Sequence, residues 1–590
     1  MKSKDTLHLS KVLLFCSLLV ITAVSFWPSL FNGFFCWDDK EVPLAPFVRQ
    51  LNFQNIGKYF STFHAGLYHP LTTLSFALDY AIGDGSAFPF HVTNLLLHLA
   101  NTCLLFILIR KLFNNFNIAL IVALLFGVHP LHVEAVAWIT SRKDLLYVFF
   151  FLGSLISYTY YLDGGNKKQL YFLSLIIFLF SCLSKIQGVV LPVALLLVDY
   201  LRNRKLFSRK SILEKIPFFL IAVLFGIINI IAQKGYGYID YKAPYSIEER
   251  QIIFCYGFAQ YVFKILLPGS ISVFYPFPFH PGEQFSFVYY LYPLVLLLFI
   301  AGTAYLIFRS KRALVFGLGF FFLCIFLVLV INSYRETVIT DRYTYLGSAG
   351  IFIFIAGMGF HIYHRMIRLK WILPTLGILY ILAFSYLTFK QNRLWHSPPR
   401  LIESALGHNP DSPILLNTMG SMAIDSGSYV KALTYLDKAI AADKNYAYAW
   451  YHKGMAESKL ENYSQSLDDF SQAITLNPAY IDAYFGRGNV YRVTGEYRKA
   501  LGEYSLVLMM NRNYFGAWQD RAIVKGNLND YKGAIDDLDR AIALDPNFGA
   551  SYYLRGIAKF ETQMNGCEDL RKALSLNYQP AQKALEYYCR

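Results

Sequence analysis

The sequence predicts an all-α protein in two parts, a polytopic membrane helix bundle followed by a solenoid of short helical pairs. Three observations predict it. Of the 590 residues, 55% are hydrophobic and 16% charged, whereas a soluble domain is about 45–50% apolar and about 25% charged. The apolar residues gather in runs long enough to cross a bilayer, separated by loops that alternate between basic and mixed charge. After Pro398-Pro399 the composition changes and a period of 34 residues sets in.

The apolar runs are 10–28, 92–110, 117–131, 144–162, 169–184, 187–201, 216–233, 288–308, 313–332, 346–363 and 371–389, about eleven spans. The first follows Lys2, Lys4 and Lys11 and ends Phe26-Trp27-Pro28. That is a membrane-interface ending rather than a cleavage site, so the run is read as a retained anchor. The 44 Tyr and 51 Phe suit many membrane–water boundaries. Compact basic loops (Arg110-Lys111, Lys167-Lys168, Arg202 to Lys215, Arg309 to Arg312, Arg365 to Lys370) alternate with longer mixed ones. The basic set marks the cytoplasmic face, which puts the N-terminus inside and the C-terminus outside. The apolar stretch 251–267 would break this alternation as a span and is placed as an interfacial or re-entrant helix. The net charge of +15 is explained by these loops, so no nucleic-acid partner is expected.

The 34-residue period is legible column by column. One column reads Leu416, Trp450, Tyr484, Trp518, Tyr552; four residues on come Gly420, Gly454, Gly488, Ala522, Gly556; nine further come Tyr429, Tyr463, Tyr497, Tyr531. A large residue filling the space between two helices, then a small one letting them approach, is the tetratricopeptide (TPR) pattern in about five units. Such an array offers a concave surface for protein segments; without a ligand it is a spacer. Of the eight Cys, Cys16, Cys103, Cys182, Cys255 and Cys324 lie in or beside apolar runs. Cys36 follows the first span, and Cys567 and Cys589 in the last repeat are candidates for a disulfide if that domain is extracytoplasmic.

Candidate chemistry gathers on the outer face. Trp37-Asp38-Asp39-Lys40 sets two carboxylates just after the first span. They could act as a general base, hold a divalent cation, or form a solvated turn. His129, His132, Glu134, Arg142 and Lys143 lie in one segment at the end of the third span. Its spacing is not that of a zinc protease; it could bind metal or phosphate, or simply pack. Lys185 in the turn after the fifth run and Arg342, in a later outer loop that also holds Arg335, Glu336 and Asp341, are placed where a lipid phosphate would lie or where basic side chains snorkel. His64, His69 and His91 occupy the first outer loop. No cofactor is required by the sequence, and a metal at these carboxylates is left open.

The chain resembles the transmembrane and TPR-containing (TMTC) proteins, O-mannosyltransferase-like members of the GT-C glycosyltransferase superfamily. The resemblance rests on Trp37-Asp38-Asp39, His69-Pro70-Leu71-Thr72-Thr73-Leu74-Ser75, Phe90-His91 with Asn94 and His98, His129-Pro130 with His132 and Glu134, Arg142-Lys143-Asp144, Leu183-Ser184-Lys185, Leu266-Leu267-Pro268, Phe274-Tyr275-Pro276 and Asp341-Arg342-Tyr343, spread over residues 30–350. It implies a GT-C-like domain at 1–390, a linker at 391–412 and a TPR domain at 413–590. It further implies a polyprenyl-phosphate sugar donor and a protein Ser or Thr acceptor presented by the TPR repeats. Asp38 or Asp39 would act at the acceptor hydroxyl and Arg142, Lys185 and Arg342 at the donor phosphate, with His69, His129, His132 and Glu134 nearby. Lys143 departs from the family pattern, where a small residue is expected. The competing readings are sugar transfer to a lipid or polysaccharide, and a non-enzymatic TPR scaffold. The compact form favours a bacterial inner membrane with a periplasmic TPR domain.

Overall fold

The computed structural model describes residues 2–35, 37–39, 42–63, 66–164, 167–235, 245–277, 279, 282–283, 285–331, 337–366 and 371–589. Cys36, His64, Arg335 and Glu336 lie outside the described residues. The described chain is helical with no extended strand, and it divides into two compact units, Met1–Ala405 and Leu406–Arg590.

The first unit runs α1 (Lys2–Phe26), α2 (Phe53–Ser61), α3 (Pro70–Gly83), α4 (Ala87–Phe113), α5 (Phe116–Gly127), α6 (Val133–Ala137), α7 (Arg142–Asp163), α8 (Lys168–Ser184), α9 (Leu191–Leu201), α10 (Arg209–Gly235), α11 (Ile247–Leu266), α12 (Tyr292–Phe308), α13 (Arg312–Ile331), α14 (Thr344–Arg365) and α15 (Ile372–Leu394). All eleven apolar runs are helical. Among the described residues eight helices are long and apolar enough to span a membrane, and the bent pair α5–α6 makes a ninth. The two further runs are shorter: α8, and Ile186–Leu201, which comprises a 3-10 turn and α9. The bend of 53° between α5 and α6 falls at His129-Pro130, where proline removes a backbone donor. The chain is therefore an integral membrane helix bundle.

Burial sorts the spans. Within their most apolar windows α7, α14 and α4 are 61, 56 and 50% buried by the chain itself, whereas α12 is 0% and the span ending at Leu394 11%. The first three, with α13 at 50%, form the interior, and α12 and the last span leave their apolar faces for lipid. Two close approaches fix the interior. Gly350 packs on Gly317, where any Cβ would collide with backbone of α13. At Gly188, after the α8 turn, a Cβ would meet Ser181 Oγ at 2.7 Å. α11 carries Glu248, Glu249, Arg250 and Lys264, is capped by Ser246 and Glu249 in a capping box, and is not among the candidate spans.

The stretch expected as a linker, 391–412, contains α16 (Pro398–His408), and the division between units falls within it. The second unit is an α-solenoid of pairs: α17 (Pro413–Asp425) with α18 (Tyr429–Ala442), α19 (Ala447–Lys459) with α20 (Tyr463–Leu476), α21 (Ile481–Val493) with α22 (Tyr497–Met510), α23 (Phe515–Asn527) with α24 (Tyr531–Leu544), and α25 (Gly549–Glu561) with α26 (Cys567–Ser575). α27 (Pro580–Tyr588) closes the array, and Cys567 and Cys589 form a disulfide across it. The small column allows close packing: a Cβ at Gly420 would stand 2.6 Å from Leu436. The large column does more than fill space. Trp450 and Trp518 donate through Nε1 to the carbonyls of Lys444 and Arg512, at 3.0 and 2.8 Å, tying each pair to the turn before it.

A further column escaped the sequence reading. Lys453, Arg487, Arg521 and Arg555 recur at the same period, each over the ring three residues before it. Arg521 bonds forward to Asp537 (2.8 Å) and back to Ser505 (3.1 Å); Arg487 reaches Glu503 and Ser471 likewise. Arg555 joins Asp569 to Asp539.

Candidate active site

The two carboxylates of the first loop are placed differently. Asp39 is fully buried. One oxygen accepts from the Phe35 amide at 2.7 Å; the other accepts from the amide of Thr140 at 3.0 Å and from its hydroxyl. Burial pushes its carboxyl up to about 6, against the opposing pull of these hydrogen bonds. Asp39 thus fastens the loop to the turn preceding α7. The Asp38 side chain is 48% exposed, with Lys143 Nζ 3.9 Å away. It is the accessible member of the pair.

Around Asp38 a polar patch assembles from elements far apart in sequence. Lys143 and Asp144 open α7. Lys185 caps the end of α8 and pairs with Asp144 at 2.5 Å. Arg342, in the single turn before α14, pairs with Glu134 of α6, whose second oxygen accepts from the Arg342 amide at 2.9 Å. Aromatic rings join these charges. Trp37 packs on Trp138 (centroids 5.8 Å), Arg342 lies over Trp138 (5.0 Å) and Tyr343 (5.1 Å), and Lys185 lies over the Tyr343 ring at 5.1 Å. Thr72, beside His69 at the start of α3, donates to the Ser184 carbonyl and holds that helix against the Lys185 turn.

The remaining candidates form the framework beneath. Arg142 is completely buried: Nε donates to Asn94 (2.8 Å), one terminal nitrogen to Phe90 O (2.7 Å), and the other faces Asp79 at 2.5 Å and Ser75 O at 3.2 Å. Its donors are spent on α3 and α4, so it stands as the junction of α3, α4 and α7. His129 Nε2 meets the Ile265 carbonyl at 3.0 Å while its Nδ1 accepts from the Leu131 amide. His132 contacts the Phe126 carbonyl at 2.8 Å and Ser348 Oγ at 3.0 Å. Both nitrogens of both rings are engaged, which turns the broken span α5–α6 into a pinned corner. His91 and His98 are buried too, the latter between Tyr345 OH and the Gly127 carbonyl. The ring of His69 lies 3.4 Å from Thr73 Oγ1. Among the described residues no three His, Cys, Asp or Glu side chains converge as a metal site.

Trp138, Asp144 and Tyr343 were not singled out as site residues from sequence, and a second signal now marks two of them. Buried polar atoms without a hydrogen-bond partner include Trp138 Nε1, Ser141 Oγ, Asp144 Oδ2, Gln187 Oε1 and Arg342 Nε. Native interiors leave few such atoms, and each needs a reason. Those of Trp138, Asp144 and Arg342 belong to the patch itself and fit a site that completes its hydrogen bonds with a polar ligand.

Known proteins match stretches of both units. Residues 69–232 match the family model described as dolichyl-phosphate-mannose-protein mannosyltransferase, and 447–480 and 515–548 match tetratricopeptide repeat models. The protein O-mannosyl-transferase F38B6.6 of Caenorhabditis elegans is 32% identical over 203 residues, 32% of this chain and 28% of that protein. Mouse protein O-mannosyl-transferase TMTC3 is 24% identical over 468 residues, 71% of this chain and 50% of that one. Over these matched stretches the chain is similar to the protein O-mannosyl-transferases of the TMTC type. It spans half or less of the length of these relatives. Solved structures similar to it include YrrB, a TPR protein, at 20% identity over 31% of this chain and 97% of that one, with a TM-score of 0.28. The mannosyltransferase match covers α3 to most of α10, the stretch that supplies Glu134, Lys143, Asp144 and Lys185.

Proposed function

We propose that the chain is a membrane glycosyltransferase that moves a sugar from a polyprenyl-phosphate donor to a Ser or Thr hydroxyl of a protein on the extracytoplasmic face. The observation that carries this is the placement of Asp38, a half-exposed carboxylate on the rim of a patch holding Lys143, Lys185 and Arg342. The acceptor oxygen attacks the anomeric carbon, the bond from that carbon to the donor phosphate oxygen breaks, and the phosphate leaves with the electron pair. Asp38 receives the hydroxyl proton. Lys185 and Arg342, held in place by Asp144 and Glu134, stabilise charge on the leaving phosphate. The unpartnered atoms of Arg342 and Trp138 supply further donors. Asp39 positions the loop that carries Asp38. The names of the relatives point to mannose as the sugar.

The TPR unit would bind the acceptor protein. The disulfide between Cys567 and Cys589 supports its location in an oxidising compartment, the periplasm in a bacterial inner-membrane setting. Sugar transfer in purified membranes, read as intact mass of acceptor proteins, tests the proposal. Wild type should add a hexose-sized mass that Asp38→Ala abolishes while remaining folded. If wild type leaves all protein masses unchanged and glycosylates a lipid, the acceptor assignment fails; if Asp38→Ala transfers normally, the assignment of the base fails.

A further inference from the structure

At the ends of α7, α8 and α9 remote from Lys143 and Lys185, the structure has a second feature. Between the end of α9, the following turn and the first half of α10 lies a groove of about 440 Å³. Leu196, Leu206, Ile212, Ile216, Leu220 and Val223 line it. Two polar residues reach it, Ser211 and Lys215, and their polar atoms are spent elsewhere: Ser211 Oγ donates to Asp199 at 2.9 Å, and Lys215 Nζ bonds Asp199 and Tyr158. The groove therefore presents hydrocarbon alone.

Its chain neighbours are the opposite. Lys205, Arg209 and Lys210, in and just after the turn that carries the lining residues Leu206 and Phe207, are exposed, and among the described residues none has a carboxylate partner. The nearby carboxylates of Asp199 and Glu214 are buried and neutralised by Arg204 and Lys215. Arg209 precedes Ile212, Ile216, Leu220 and Val223 at helical spacing and so heads the same stripe. Phe207, 91% exposed, sits at this lip as an interfacial anchor.

We infer that this groove holds an anionic phospholipid, its headgroup against Lys205, Arg209 and Lys210 and one acyl chain along α10. The length agrees: from Ile212 to Val223 the helix rises roughly 17 Å, about the hydrocarbon depth of one leaflet. The proposed function puts the phosphate of a polyprenyl donor at Lys185 and Arg342, at the other ends of these helices, and the exclusion of that lipid rests on that reading. The groove and its basic flank rest on the membrane fold alone.

Native mass spectrometry of the purified full chain tests it, with phosphatidylglycerol and phosphatidylcholine added at equal concentration. Wild type should retain phosphatidylglycerol about tenfold or more over phosphatidylcholine. The variant with Lys205→Gln, Arg209→Gln and Lys210→Gln, whose changes are all exposed, should lose that preference. Ile216→Trp, which fills the groove, should lower retention of both lipids. Equal retention of the two lipids by wild type, or an unchanged preference in the triple variant, would overturn the inference. So would displacement of the phospholipid by equimolar polyprenyl phosphate, which would give the groove to the substrate lipid. Transfer activity enters none of these readings, so failure of the proposed reaction leaves the test intact.

Discussion

Buried charge is handled in two ways at the two ends of α7, α8 and α9. At the far end Arg204, Lys215, Asp199, Glu214, Tyr158 and Ser211 form a closed network in which each side chain finds a partner. At the near end the same helices offer Lys143, Asp144 and Lys185 to a patch with orphaned polar atoms on Asp144, Arg342 and Trp138. The first network clamps the turn 202–208 between α9 and α10. The second is a constellation that folding leaves incomplete. The contrast teaches that buried ions alone do not mark function; the informative feature is what folding leaves unsatisfied.

The largest expected effect comes from breaking the closed end. Lys215→Ala breaks a buried pair and leaves Asp199 with Arg204 as its one remaining cation, which should cost about 3 kcal/mol of stability. It should be seen as a lowered unfolding midpoint in detergent, with the transfer rate per folded molecule unchanged. At the open end the effect moves from stability to rate. Lys185→Gln should slow transfer about 10²–10³-fold, as loss of one preorganised donor does, and single-turnover measurement on reconstituted protein should place the loss in the chemical step. A rate loss for Lys215→Ala equal to that for Lys185→Gln would erase the distinction between the ends.

The smallest expected effect concerns Asp39. Its carboxyl lies near 6 folded and at 3.8 in the reference state. Between these values the folded chain binds more protons than the unfolded one, so stability falls as pH rises from the lower value through the higher. Going down from about pH 7 to about pH 5 should therefore add about 1 kcal/mol to wild type relative to Asp39→Asn. Thermal unfolding at the two pH values checks this; the same pH dependence in both proteins would detach Asp39 from it.

Much of this was legible in sequence because it is periodic or long. Apolar runs of helix-spanning length and a 34-residue repeat need no tertiary information, and all eleven runs proved helical. The site was legible as a neighbourhood and less so as a set of roles. Nothing in Asp38-Asp39 says which carboxylate Thr140 will claim from 101 residues away. Arg142 reads as a phosphate ligand until Asp79, Asn94, Ser75 and Phe90 are seen around it, 48–67 residues upstream. His129 and His132 read as ligands until Ile265 and Ser348 take their nitrogens. The cation column of the TPR unit was within reach: Lys453, Arg487, Arg521 and Arg555 are in register, one Lys followed by three Arg.

That column has a consequence for how such an array can change in length. Each internal cation looks sixteen residues back and sixteen forward, as Arg487 does to Ser471 and Glu503 and Arg521 does to Ser505 and Asp537. A whole 34-residue unit spliced in or out between Arg487 and Arg521 brings its own cation and receptors, so the seam on either side closes as before. Growth by tandem duplication therefore keeps every cation with its receptors, whereas an insertion that is not a whole number of units leaves a charge facing the wrong turn.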